Sequence, residues 1–326
     1  MSSLIPAFDF HRVFVAPWTD QFSSTIWIVL MGFLVTAACG LVGTYLILRR
    51  MALVGDAISH SVLPGLAIAF LLSNSRSSTA MFLGALIAGV VTTVIIETIH
   101  KKTRVKQDAA IGIAFTSLFA IGVILISLFA SKIDLDQECV LYGEIGFVFI
   151  EPPVEWFGVT LGPLPVVRMA IVAGITALLI VLFYKELLVS SFDPALAFSL
   201  GINATVLHYC LMGWLSAVVV SAFESVGAIL VIAMLILPGA TASLLTQRLR
   251  LILLLTAGHA ALSAVIGIHL ATWLNCSIAG AMVLSAAALF CAAWIFSPGQ
   301  GLLQRFLHRK RGELKEPDWN NEAAIE

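Results

Sequence analysis

Residues 55–65 read Gly-Asp-Ala-Ile-Ser-His-Ser-Val-Leu-Pro-Gly, and they open an apolar segment that runs to Leu72 without another charge. An acid and an imidazole four residues apart share one face of a helix. Asp56 and His60 therefore form a pair, and both side-chain types ligate divalent cations. Ionisable groups are expensive in hydrocarbon, so such a pair at the head of an apolar span marks a candidate functional site. The competing reading makes Asp56 a helix-start residue at the membrane interface, with His60 hydrogen-bonded to a neighbour. Pro64 stands four residues beyond His60 and cannot donate to its carbonyl. That frees one more oxygen beside the pair and predicts a kink.

Outward from this stretch the chain stays apolar. Of its 326 residues 60% are hydrophobic and only 11% charged, against about 25% charged in a soluble domain. The composition defines an all-α, polytopic membrane protein. Runs near 25–48, 53–72, 79–99, 109–130, 165–184, 251–273 and 277–296 each reach the length of about 20 residues that a crossing needs. The stretch 205–245 is about twice that length, which predicts two helices with a turn near Ser221–Gly227. Nine crossings follow, or eight if one run is a single long, tilted or broken helix. Residues 138–150 are apolar but too short to span, and are expected to be interfacial or re-entrant. The run that begins near Thr25 is too long for the apolar core of a cleavable signal.

Charge then orients the spans. Arg49 and Arg50, the cluster Lys101, Lys102, Arg104 and Lys106, Lys185, Arg248 and Arg250, and the group from Arg305 to Lys315 all fall at alternate ends of the runs. The positive-inside rule puts those ends in the cytoplasm. With nine crossings the N-terminus lies outside and the C-terminus inside. The connection 131–164 then faces outward, carrying Asp134, Asp136, Glu138, Glu144, Glu151 and Glu155 against Lys132. It is either an acidic mouth that concentrates cations and docks a partner or an ordinary solvated loop.

On the cytoplasmic side, Asp193 followed by Pro194 is a helix N-cap with proline at the first helical position, and Gly201 is a C′ terminator. A short helix with an apolar face is predicted between two spans, as an interfacial element or as a lever for another protein. Glu224 sits alone in the 205–245 run with no lysine or arginine nearby in sequence. It faces a cavity, a partner or a cation, or is solvated if the turn brings it to the outer surface. His208, His259 and His269 are expected as packing residues with satisfied ring nitrogens. Glu97 and Asp108 flank the basic cluster and are expected as its surface counter-charges, with Asp108 as a possible helix cap. The five cysteines show no paired spacing, which disfavours disulfides and zinc-finger sites.

Several chemistries are missing. No G-x-x-x-x-G-K-[ST] occurs, so the chain has no phosphate loop for a nucleotide. There is no H-E-x-x-H and no nucleophile elbow, which argues against an enzyme. The basic clusters flank spans rather than form a nucleic-acid face.

The stretch Leu48-Arg49-Arg50-Met51-Ala52-Leu53-Val54, continued through Gly55 to Gly65, resembles the signature of the ABC-3 family. These are the membrane permeases of bacterial ABC importers for manganese, zinc and iron. Further matches follow in family order: Asp108-Ala109-Ala110-Ile111-Gly112-Ile113, then Phe192-Asp193-Pro194 with Leu200-Gly201-Ile202, then Ser225-Val226-Gly227 with Leu237-Pro238-Gly239-Ala240-Thr241-Ala242, then Phe296-Ser297-Pro298 with Gly301-Leu302. The resemblance covers residues 25–303 and leaves an N-terminal extension, 1–24, and a polar cytoplasmic tail, 304–326. It implies a type II importer permease fold in the bacterial inner membrane. It also implies a coupling helix at 193–202, with Phe192, Asp193, Pro194, Leu200 and Gly201 facing a cytoplasmic ATPase that binds ATP. A second permease chain, identical or homologous, and an extracytoplasmic metal-binding protein complete the implied assembly. The resemblance implies a metal-path role for Asp56 and His60, with Mn, Zn or Fe as the cargo; Glu224 joins them as a candidate metal residue on its isolated charge alone, at a position that varies in the family. The rival expectation is a secondary cation transporter or channel that uses the same pair without ATP.

Overall fold

The computed structural model describes residue 6 and residues 8–73, 78–129, 145–156, 159–297 and 301. Asp134, Asp136, Glu138 and Glu144 of the acidic connection, and the tail 304–326, lie outside the described residues. The long helices are α1 (Phe22–Leu48), α2 (Val54–Ser73), α3 (Ser78–Lys102), α4 (Gln107–Phe129) and α5 (Leu164–Leu182). Two short helices follow, α6 (Tyr184–Phe192) and α7 (Pro194–Ser199), and then α8 (Ala204–Val226), α9 (Ala228–Leu245), α10 (Leu249–Leu274) and α11 (Ile278–Phe296). Among the described residues, eight of these helices are long and apolar enough to cross a membrane, and α9 contributes a shorter apolar helix, Leu230–Leu245. The expected break in the 205–245 run falls at Gly227, whose φ of +77° suits glycine.

Helix α1 is 27 residues, about 40 Å at 1.5 Å per residue, and forms the centre of the molecule. Its Met31, Val35, Ala38, Cys39, Tyr45 and Leu46 are fully buried, packed by α9, α10 and α5. A second group, α2 with α3, α4 and α8, packs beside it. Outward-facing Ile87, Val94, Ile124, Leu128, Leu178 and Val181 stay exposed on α3, α4 and α5. Hydrocarbon, not protein, is the solvent that accounts for such a surface.

Helix α2 carries the Asp56–His60 pair and is held on two sides. Pro64 is buried in it, and the helix continues through to Ser73 without interruption. A Cβ at Gly122 of α4 would lie 2.8 Å from Pro64 Cδ and 2.9 Å from its nitrogen. Glycine there lets α4 press against the proline, and small residues serve this purpose between membrane helices. On the other side, Thr92 Oγ1 of α3 donates to Ser61 Oγ at 2.6 Å.

The connection between α4 and α5 contains elements that the hydropathy pattern does not reveal. Residues Ile145–Ile150 form a 3-10 helix with Ile145 and Val148 buried against the core, and strands β1 (Pro153–Trp156) and β2 (Val159–Pro163) make an antiparallel hairpin. The N-terminal extension is also built onto the bundle. His269 of α10 donates from Nδ1 to the Val13 carbonyl at 2.8 Å, and Trp18 Nε1–H donates to His269 Nε2 at 3.3 Å. Both ring nitrogens are thereby satisfied in one neutral tautomer, as expected of a packing histidine. His259 departs from that expectation. It is buried, and neither ring nitrogen has a partner among the described residues.

Candidate functional site

Asp56 lies in the first turn of α2 and His60 one turn later. His60 Nε2 stands 3.4 Å from Asp56 Oδ1, with the two side chains 29% and 39% exposed. The imidazole rests against Phe115 and Phe119 of α4, with ring centroids 4.9 Å and 5.9 Å away. These rings fix its plane and leave its Nε2 edge toward the carboxylate. Two ligands about 2.1 Å from a shared cation, set at tetrahedral to octahedral angles, are about 3.0–3.4 Å apart. The pair therefore has the bite of a chelate. Among the described residues no group of three or more His, Cys, Asp or Glu side chains could hold a metal. At this position the described residues thus bring together two donor atoms, both on partly exposed side chains.

Glu224 lies on α8 one turn before the Gly227 break, and its side chain is outside the described residues. It is far along its helix from the α8 residues that line the cytoplasmic cavity described below.

The helix at 194–199 has the expected ends. Asp193 Oδ1 accepts from the Ala195 and Leu196 backbone N–H groups, both at 3.0 Å. At the other end Ile202 N–H donates to the Ala197 carbonyl and Gly201 N–H to the Phe198 carbonyl. That is a Schellman closure with Gly201 at φ +78°. The predicted two turns amount to six residues. Ala197 is buried while Phe192, Leu196, Phe198 and Leu200 are exposed, Phe198 at 82%. Asp193→Ala removes the acceptor of two otherwise orphaned N–H groups. The expected cost is about 1 kcal/mol of local helix stability, read as lost hydrogen-exchange protection at the Ala195 and Leu196 amides.

A second polar cluster lies close by, and here the structure corrects an expectation. Glu97, read as a surface counter-charge, is buried on α3. Its Oε1 pairs with Lys101 Nζ at 2.7 Å and its Oε2 with His208 Nε2 at 3.3 Å. The other His208 nitrogen, Nδ1, accepts from the Arg49 guanidinium at 3.3 Å. Arg49 also donates from Nε to Ser191 Oγ at 3.1 Å and from its second terminal nitrogen to Ser190 Oγ at 2.9 Å. The network ties the ends of α1, α3, α6 and α8 together. These are ends that the basic clusters assign to the cytoplasm, so the charge pattern and the packing agree. Asp108 sits inside the first turn of α4 rather than ahead of it.

The fold defines a polytopic membrane permease, with an Asp–His pair on one helix and a short capped helix between two spans. The chain belongs to the ABC 3 transport family, whose description matches residues 21–297. It is 47% identical over 281 residues to the manganese transport system membrane protein MntD of Bacillus subtilis (strain 168), covering 86% of this chain and 95% of that protein. It is 44% identical over 283 residues to the zinc transport system membrane protein TroD of Treponema pallidum (strain Nichols), covering 87% and 77%. Among solved structures, PsaBC from Streptococcus pneumoniae in complex with Fab matches with a TM-score of 0.73 at 33% identity, covering 93% of this chain and all of that one. The fold is the importer permease fold that the sequence motifs imply.

Proposed function

We propose that this chain is the membrane-spanning permease subunit of an ATP-driven importer that carries a divalent transition metal into the cytoplasm. The 3.4 Å separation of the Asp56 and His60 ligand atoms on a helix pinned by α3 and α4 carries the proposal. An imidazole with a carboxylate favours Zn, Mn or Fe(II) over Mg or Ca. The relatives named for manganese and for zinc agree with that donor set. Two donors per chain are too few for a dehydrated ion, so a second permease copy contributes its own pair across a shared path. Glu224, near the opposite end of α8, is the proposed contact on the extracytoplasmic side, where a metal-binding protein delivers the ion.

The chain has no phosphate loop, so a cytoplasmic ATPase must supply the energy. The exposed Phe192, Leu196, Phe198 and Leu200 offer it an apolar docking face, held in place by the Asp193 cap and the Gly201 closure. Closure of the ATPase on ATP moves this lever, and the bundle rocks between two access states. We assign the complex to the bacterial cytoplasmic membrane, a reading that the bacterial origin of the relatives supports. Metal uptake into proteoliposomes, with Mn, Zn and Fe(II) compared, tests the proposal. Uptake is expected only when the ATPase and ATP are both present. Flux through the purified chain alone would favour a secondary transporter or channel and defeat the proposal.

A further inference from the structure

The Arg49 network borders a cavity of about 470 Å³ that opens at the cytoplasmic face. Cavities of this size hold small molecules or headgroups. Its charged walls are Arg49, Arg50, Lys101 and Glu97, and Ser190 and Thr205 add hydroxyls. The charges do not balance. Both oxygens of Glu97 are engaged, one by Lys101 and one by His208. Arg49 meets only two serines and the neutral, accepting face of His208. Among the described residues, three of its five N–H donors are used and no carboxylate touches it. The Arg50 side chain is exposed, with no partner among the described residues. Among the described residues, two guanidinium charges thus border one cavity whose one carboxylate, Glu97, is paired elsewhere. Burial lowers the pKa of Arg49 from its ordinary value, as expected for a charge short of compensation.

We infer that this cavity is a binding site for a phosphate-bearing anion, held by the free donors of Arg49 and by Arg50. Guanidinium groups match phosphate oxygens in charge and geometry. Arg49 directly follows Leu48, the last residue of a membrane helix, so the cavity sits at headgroup depth. Basic pockets between helices on the cytoplasmic side take anionic headgroups. A soluble phosphate compound offers the same chemistry. The serines that hold Arg49 immediately precede the α7 lever, so an anion there would join the α1–α2 junction to that lever.

The test uses the full chain purified in a nonionic detergent, titrated separately with dioctanoyl phosphatidylglycerol, dioctanoyl phosphatidylcholine and inorganic phosphate. Native mass spectrometry reads the binding. Arg50→Gln serves as the variant because that side chain holds nothing in place. Saturable binding of phosphatidylglycerol or of phosphate is expected, weakened about tenfold or more by Arg50→Gln, the worth of one charge-assisted contact. The unfolding midpoint without ligand should not move. Phosphatidylglycerol alone identifies a lipid as the source, and inorganic phosphate alone identifies a soluble compound. Saturation by neither ligand would overturn the proposal. So would equal affinity in the variant, or phosphatidylcholine binding as tightly as phosphatidylglycerol. Binding that disappears once the ATPase is added would assign the cavity to protein docking and likewise overturn it.

Discussion

His60→Ala and Asp56→Ala are each expected to abolish metal uptake in proteoliposomes while leaving assembly with the ATPase intact. The reasoning is geometric. The two ligand atoms stand 3.4 Å apart, and removing either leaves one donor, which cannot compensate an ion for its lost water. In the proposed assembly of two copies around one path, each substitution removes two donors at once. The fold should tolerate both changes. Asp56 and His60 are partly exposed, and among the described residues neither anchors another element through a hydrogen bond outside the pair. His60 does rest on Phe115 and Phe119, so His60→Gln is a useful companion that keeps much of the bulk. Uptake at wild-type rates by either alanine variant, measured with the complex fully assembled, would remove Asp56 and His60 from the metal path.

The second large effect concerns Glu97. Glu97→Ala is expected to destabilise the chain by about 2 kcal/mol, the order found when a buried N–H donor is left without its acceptor. Lys101 contributes little of this, because its side chain is 49% exposed and water screens it. The larger part comes from His208, whose Nε2–H loses its acceptor, and through it from Arg49. Glu97→Gln keeps an acceptor for His208 and should cost less than the alanine variant. Thermal unfolding in detergent checks the order wild type, Gln, Ala. An alanine variant that unfolds with the wild type would mean that this carboxylate is a solvated surface group after all.

These two sites differ in how far they could be read from the sequence. Asp56, His60 and Pro64 lie within nine residues, and helical spacing alone brings the first two together. The α7 lever was equally legible, since Asp193, Pro194 and Gly201 act on the backbone a few residues away. The Gly227 break needed only the length of the 205–245 run. Glu97, by contrast, meets His208 across 111 residues, and Arg49 reaches the same histidine across 159. No local pattern encodes such a meeting, so a buried carboxylate beside Lys101 and Lys102 looked like a surface one. The β1–β2 hairpin is just as weakly encoded in local pattern. Its strands are four and five residues long, in a connection whose acids drew attention to charge. The tie from His269 to Val13 likewise joins chain ends 256 residues apart.

Helix α7 has a mechanical consequence. A six-residue helix on its own would be mostly unfolded in water. Here Asp193 satisfies two N–H groups at one end, and the Schellman closure satisfies two carbonyls at the other. Fraying at either end would turn part of any applied stroke into local unfolding. With both ends closed and Ala197 seated in the core, the segment has little compliance of its own. In the proposed coupling role, a push on Phe198 would therefore reach the helices behind it as displacement, and the stiffness of this single turn and a half would set how much of the motion the bundle receives.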